Sequence, residues 1–163
     1  MAINYFLKID GVLGDSVDAK HKGEIDVESF SWGESNGATP GAPGAGPGAG
    51  KVTAQDFHFV TKVGSQSPRL LVATAAGEHL KSAVLTARSG GGKAPFEFLV
   101  IKMSDVMVAS YQVGGSAAAG DRPVDQGSLA MSKIEMSEIP QKADGTAGTP
   151  VTGGWDFKMN KKV

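Results

Sequence analysis

Three histidines, His21, His58 and His79, supply the imidazoles with which this chain could bind a transition metal or shuttle a proton near neutral pH. They lie far apart, on segments of different character. A metal centre needs further ligands at compatible spacing, and the chain nominates none. Asp56-Phe57-His58 puts a carboxylate and an imidazole on one side of an extended segment, which an ordinary polar strand face explains. There is no cysteine, so disulfides, thiolate metal sites and cysteine nucleophiles are excluded. Gly50-Lys51 and Gly92-Lys93 have the last glycine and the lysine of a phosphate-binding loop. Ala45 and Ala87 replace the first glycine of that motif, and Val52 and Ala94 stand where a magnesium-binding hydroxyl is required. No G-x-S-x-G elbow exposes a serine nucleophile, and no spacing pairs two carboxylates for acid–base work. The residues give no positive sign of catalysis, and no cofactor or metal is expected.

The elements that hold these side chains come from a chain of 163 residues, enough for one domain (1–163) with its own core. Its formal charge is −1, from 16 basic and 17 acidic residues, which argues against a nucleic-acid partner. The adjacent pair Lys161-Lys162 reads as a solvated tail. No apolar run approaches the roughly 20 residues of a membrane span. Met1 to Asp10 alternates apolar and polar residues and shows no signal peptide, so the chain is expected to be made in the cytoplasm without a cleaved leader.

Period-2 patterning predicts strands at Ile3–Ile9, Glu24–Trp32, Val52–Val60, Ser82–Arg88, Phe96–Met103, Val106–Val113, Ser128–Ile139 and Gly154–Asn160. A turn at Ser104-Asp105 should separate two of them. Parity changes inside 24–32 and 128–139 suggest bulges, or in 24–32 a strand covered on both faces. In the last strand Trp155, Phe157 and Met159 should face one way. One helix is predicted, with Ser67 as N-cap, Pro68 in the first helical position, Gly77 as the stop, and Leu70, Leu71, Thr74 and Ala75 on the buried face. Ser35 to Gly50 holds no large apolar residue and three prolines, so it reads as a long loop. Many strands with Gly-rich turns imply an all-β sandwich or barrel.

Several stretches together resemble the Hcp family. They are Phe6 to Ser16, Glu24 to Val27, Phe30 to Gly33, Ser67 to Leu71, Gly77 to His79, Ala83 to Arg88, Pro140 to Gly145 and Gly154 to Asp156. Their order and spacing span nearly the whole chain. The resemblance implies a compact β-barrel with one flanking helix, assembling into a hexameric ring. Such rings stack into the inner tube of the type VI secretion system, similar to the tail tubes of contractile phages. It further implies secretion of the protein with the tube, small effector proteins in the lumen, and contacts with sheath, baseplate and VgrG-like spike proteins, with no membrane insertion. A monomeric small-ligand or carbohydrate-binding barrel is the competing reading, since fold class alone permits it; an enzyme comes third.

Three groups of residues follow as candidates. Phe30, Trp32, Phe57, Phe59 and Trp155 are expected in the core or in subunit contacts. If Phe30 and Trp32 face the barrel wall, Ser29 and Ser31 face the other way, and the resemblance makes that side a candidate lumen with Ser31 against cargo. The segment 36–50, with Asn36, Gly37, Ala38, Thr39, Pro40, Gly41, Pro43, Pro47 and Gly50, is expected to be a ring-stacking loop without charge or aromatic grip.

Overall fold

A computed structural model describes residues 2–38, 40–41, 43, 51–90 and 94–163. Thr39, Pro47 and Gly50 of the expected loop, and Gly92-Lys93, lie outside the described residues. Strands β1 (Ile3–Ile9), β2 (Ile25–Ser31), β5 (Phe57–Lys62), β6 (His79–Ser89), β7 (Phe96–Gly114) and β8 (Val124–Glu138) pair antiparallel in the cyclic order β8-β5-β2-β1-β6-β7. The β7–β8 pairing closes a six-stranded barrel. Closure gives each of these six strands neighbours on both sides, which limits the open edges that invite uncontrolled pairing. Inward positions carry Leu7, Ile9, Ile25, Phe57, Phe59, Leu85, Ile101, Met103, Val106 and Leu129, all fully buried. The barrel is therefore filled by its own side chains, like other small barrels.

Helix α1 (Gln66–Ala76) lies between β5 and β6 in the chain and packs on β7. It begins two residues before the expected start. Ser65 is the N-cap, and Asp15 accepts from both the Ser65 N–H and its hydroxyl. Pro68 is tolerated as the third helical residue because none of the first four N–H groups has an intrahelical partner. Gly77 ends the helix in the left-handed conformation, φ 62°. The buried face is also corrected: Gln66, Ser67, Leu70 and Ala73 point inward, while Leu71 and Ala75 are exposed. Apolar spacing misplaces it because two of its inward residues are polar and are satisfied by the barrel.

Three further expectations change. Ser104-Asp105 makes no turn: β7 runs unbroken from 96 to 114, with Asp105 alone at φ 54°. Neighbouring strands on both sides hold the chain extended across that local signal. The last strand ends early. β9 spans Val151–Asp156, a turn follows, and Lys161-Lys162 pairs back on Asp156 and Trp155 as β10, so it is no free tail. Met159 in that turn is exposed. Finally, Ser35 and Asn36 are not loop. β3 (Glu34–Asn36) pairs with β4 (Val52–Ala54) in a two-stranded ribbon, and the loop is its tip.

The bulges divide. In β2, Val27 pairs with Thr61 and Ser29 with Val60, so Glu28 is the extra residue. β8 keeps its register against β9, and the shift against β7 falls on β7, between Val108 and Ser110.

Candidate functional site

The Glu28 bulge decides what β2 shows on each side. Before it Ile25 and Val27 are buried; after it Phe30 packs on the core while Ser29 and Ser31 are exposed. Directly paired residues share a face, so the registers extend this alternation across four strands. Ser31 pairs with His58, His58 with Ser128, and Ser128 with Ser110. The next row is Ser29, Val60, Gln126 and Gln112. The outward side of β2-β5-β8-β7 is thus two rows of polar residues with one valine, of which Ser128 is covered at 1% exposure. Ser110 and Ser128 bond hydroxyl to hydroxyl at 2.5 Å. An exposed ion pair, Glu28 to Lys62 at 3.3 Å, borders it.

Beneath this face the packing is aromatic. Phe30 stacks on Phe57 at 5.7 Å and meets Tyr5 edge-on at 5.2 Å. Phe57 and Phe59 are fully buried. Opposite Phe59 stands Gly127, where a Cβ would lie 2.5 Å from the Phe59 ring; the ring occupies the space of a side chain. Next to it Asp125 is wholly buried and accepts from the Ser67 hydroxyl at 2.5 Å, the Tyr111 hydroxyl at 2.7 Å and Gln66 Nε2 at 3.4 Å. Three donors satisfy the carboxyl group, and two of them belong to α1. This network pins the helix to the barrel. Burial, then donation to Asp125, pushes the Tyr111 hydroxyl pKa up.

The far end of β8 builds a different surface. Trp32, Ile134, Met136, Val151 and Trp155 line a groove of about 480 Å³ between β9 and the start of the ribbon. Trp32 and Trp155 are half-buried, and Trp32 tilts against Phe157 at 6.4 Å. The indole N–H of each tryptophan is buried with no acceptor among the described residues. Met136 and Val151 are exposed.

The ribbon strands stand beside this groove. Asn36, Gly37, Ala38, Pro40, Gly41 and Pro43 are exposed beyond or at its paired end.

The histidines separate as follows. His58 sits on the polar face and His79 is exposed, 3.3 Å from Asp105. His21 is buried, with Nδ1 2.9 Å from Glu24, Nε2 3.0 Å from Glu97, and its ring stacked on Phe6 at 4.2 Å. Arg88 lies over the same Phe6 ring and bridges Asp18 through both terminal nitrogens. That pairing holds the Asp18 carboxyl far below the usual carboxylate range. These contacts tie the 10–24 loop to the barrel. Among the described residues no cluster of His, Asp or Glu is arranged to hold a metal. Sequence reading singled out Ser29 and Ser31 but missed His58, Ser110, Gln112, Gln126 and Ser128. Their alternation was visible; the register that unites them was not.

The comparisons with known proteins agree with this architecture. Residues 6–137 match the family model described as type VI secretion system effector, Hcp. The chain is 39% identical over 161 residues to protein hcp1 of Pseudomonas aeruginosa, covering 98% of each. The crystal structure of Hcp1 from Salmonella typhimurium superposes with TM-score 0.81 at 30% identity over the full length of both chains. A structure described as a type six secretion system protein gives 0.91 at 30% identity, covering 99% of this chain and 100% of that one. Family match, near-complete coverage and a shared barrel together place the chain in the Hcp family, the tube proteins of the type VI secretion system, whose rings stack and carry effectors.

Proposed function

We propose that the outward face of β2, β5, β8 and β7 lines the lumen of the ring, with Ser31 and Ser29 against small effector proteins. The observation that carries this reading is the pair of registered rows, Ser31-His58-Ser128-Ser110 and Ser29-Val60-Gln126-Gln112. A wall of hydroxyls and amides stays hydrated and offers many weak, exchangeable hydrogen bonds, which suits cargo that must be held and later released. The aromatic groove serves the neighbouring subunit. A second copy would cover Met136, Val151 and Trp155 and supply carbonyls to the two orphan indole N–H groups. The 36–50 segment contacts the next ring, with the β3–β4 ribbon as its stalk. Sheath, baseplate and spike proteins are the further partners. The protein leaves the cell through the type VI apparatus.

The test is co-purification of a small effector with the intact ring. Ser31→Gln narrows the lumen and removes the hydroxyl, so effector recovery should fall while light scattering still reports a ring. Unchanged recovery of every cargo tried would overturn the lumen assignment. Shortening 39–49 should leave the ring and its melting temperature nearly unaltered, since long surface loops add little to the core. It should abolish tube formation and export; normal tubes would reduce the segment to a linker.

A further inference from the structure

The base of the ribbon tip carries a chemistry that the tube role does not require. Asn36 is the last paired residue of β3, opposite Val52, and is exposed. Gly37 follows it beyond the paired ladder. A Cβ at Gly37 would meet none of the described residues within 4 Å, and glycine itself puts no side chain beside its nitrogen. The Ala38 N–H donates to Asn36 Oδ1 at 2.9 Å, which curls the side-chain amide back over the Gly37 peptide. Three elements of an intramolecular acyl transfer thus sit together: an amide carbonyl, an unhindered neighbouring nitrogen, and a hydrogen-bond donor on the oxygen that would take the charge.

We propose that Asn36 is a site of spontaneous deamidation, with the Gly37 nitrogen as nucleophile and the Ala38 N–H as oxyanion donor. The Gly37 nitrogen gives its proton to solvent and bonds to Asn36 Cγ. Negative charge develops on Oδ1, where the Ala38 N–H stabilises it. The Cγ–Nδ2 bond then breaks, and the leaving nitrogen takes a proton from water and departs as ammonia. A five-membered cyclic imide remains. Water adds to one of its two carbonyls and opens it, giving aspartate with the normal backbone or isoaspartate with the chain routed through Cβ and Cγ. No oxidant, metal or enzyme is needed.

The chain contains internal controls. Its other asparagines, Asn4 and Asn160, precede Tyr5 and Lys161, whose side chains crowd the attacking nitrogen. Asn4 also lies inside β1, paired with Arg88. Each conversion at Asn36 adds one negative charge near Glu34 on a subunit whose formal charge is −1. A consequence for ring stacking rests on the stacking role proposed above; the chemistry itself does not.

The purified ring, aged in mildly alkaline buffer, should gain about 1 Da per subunit, the mass of an amide exchanged for a carboxyl. Peptide mapping should place that gain at Asn36, split between two isomeric peptides, with Asn4 and Asn160 unchanged. Gly37→Val meets no described residue within 4 Å and should keep the melting temperature, yet slow conversion by at least about tenfold through crowding at the nucleophile. Conversion at Asn36 no faster than at Asn4, or a rate unaffected by Gly37→Val, would overturn the proposal. Asn36→Asp, assayed for tube assembly beside the parent, tests the consequence separately. Normal assembly by that variant removes the link to stacking and leaves the modification standing.

Discussion

The two surfaces built along β8 make opposite use of one strand. Toward its start, Gln126 and Ser128 contribute to a polar face; toward its end, Ile134 and Met136 contribute to an apolar groove. The first is polar, with Ser110 and Ser128 bonding each other. The second exposes apolar atoms and leaves two indole N–H groups without acceptors among the described residues. Water tolerates the first arrangement and penalises the second. A surface that only passes other molecules can be built like the face. A surface that must stay covered is built like the groove.

The sharpest way to break this contrast is to remove what lies under the polar face. Phe59→Ala opens the space that the ring fills beside Gly127 and should cost about 3–5 kcal/mol in urea unfolding. A loss below about 1 kcal/mol would mean that the face does not depend on its aromatic floor. At the groove, Trp155→Ala should weaken subunit association by about 2 kcal/mol, roughly thirtyfold. Light scattering against dilution would read it, and a ring that persists at the same concentrations would count against the groove as a subunit contact.

Acid should act on neither surface first. The Asp18 carboxyl is held low by Arg88, and Asp15 by its bonds to Ser65. A depressed carboxylate adds stability that is present above its unfolded value, about 3.9, and lost as pH falls toward the folded value. Asp26, pushed up by burial and by Asp18, works the other way and recovers part of the loss. Melting temperature should therefore decline modestly below about pH 4, and Asp18→Asn should flatten that decline. An unchanged acid limb in that variant would remove the pair from the explanation. The smallest expected change is Ser31→Gln, within about 0.5 kcal/mol of the parent by calorimetry, because its side chain meets solvent. A larger loss would place Ser31 in a packed contact and erase the distinction between face and groove.

Much of this contrast could be read from the chain. The parity break in 24–32 hinted at a bulge without placing it at Glu28, and alternation with Phe30 and Trp32 set Ser29 and Ser31 on the other face. Phe57 and Phe59 alternated as buried residues do. What escaped reading depended on partners distant in sequence. Nothing near Gly127 announces that Phe59 fills its missing side chain, or near Asp125 that Ser67 and Tyr111 satisfy it. The helix starts two residues early because its N-cap, Ser65, is held by Asp15, fifty residues away. Ser104-Asp105 carried a true local signal, the left-handed Asp105, which neighbouring strands overrode. Ser35 and Asn36 looked unstructured because a three-residue ribbon needs no apolar pattern to pair.

The long hairpin of β7 and β8 also has a mechanical meaning. Fourteen residue pairs join the two strands, from Leu99–Glu138 to Gly114–Val124. A thrust or pull directed along them loads those bonds side by side, in shear, and they must fail together. A load applied at one end across the strands would open them singly, like a zipper. Forced rupture is governed by the barrier to unfolding rather than by the folding equilibrium. A subunit driven forward by a contracting machine therefore resists best when its β7–β8 axis lies along the stroke.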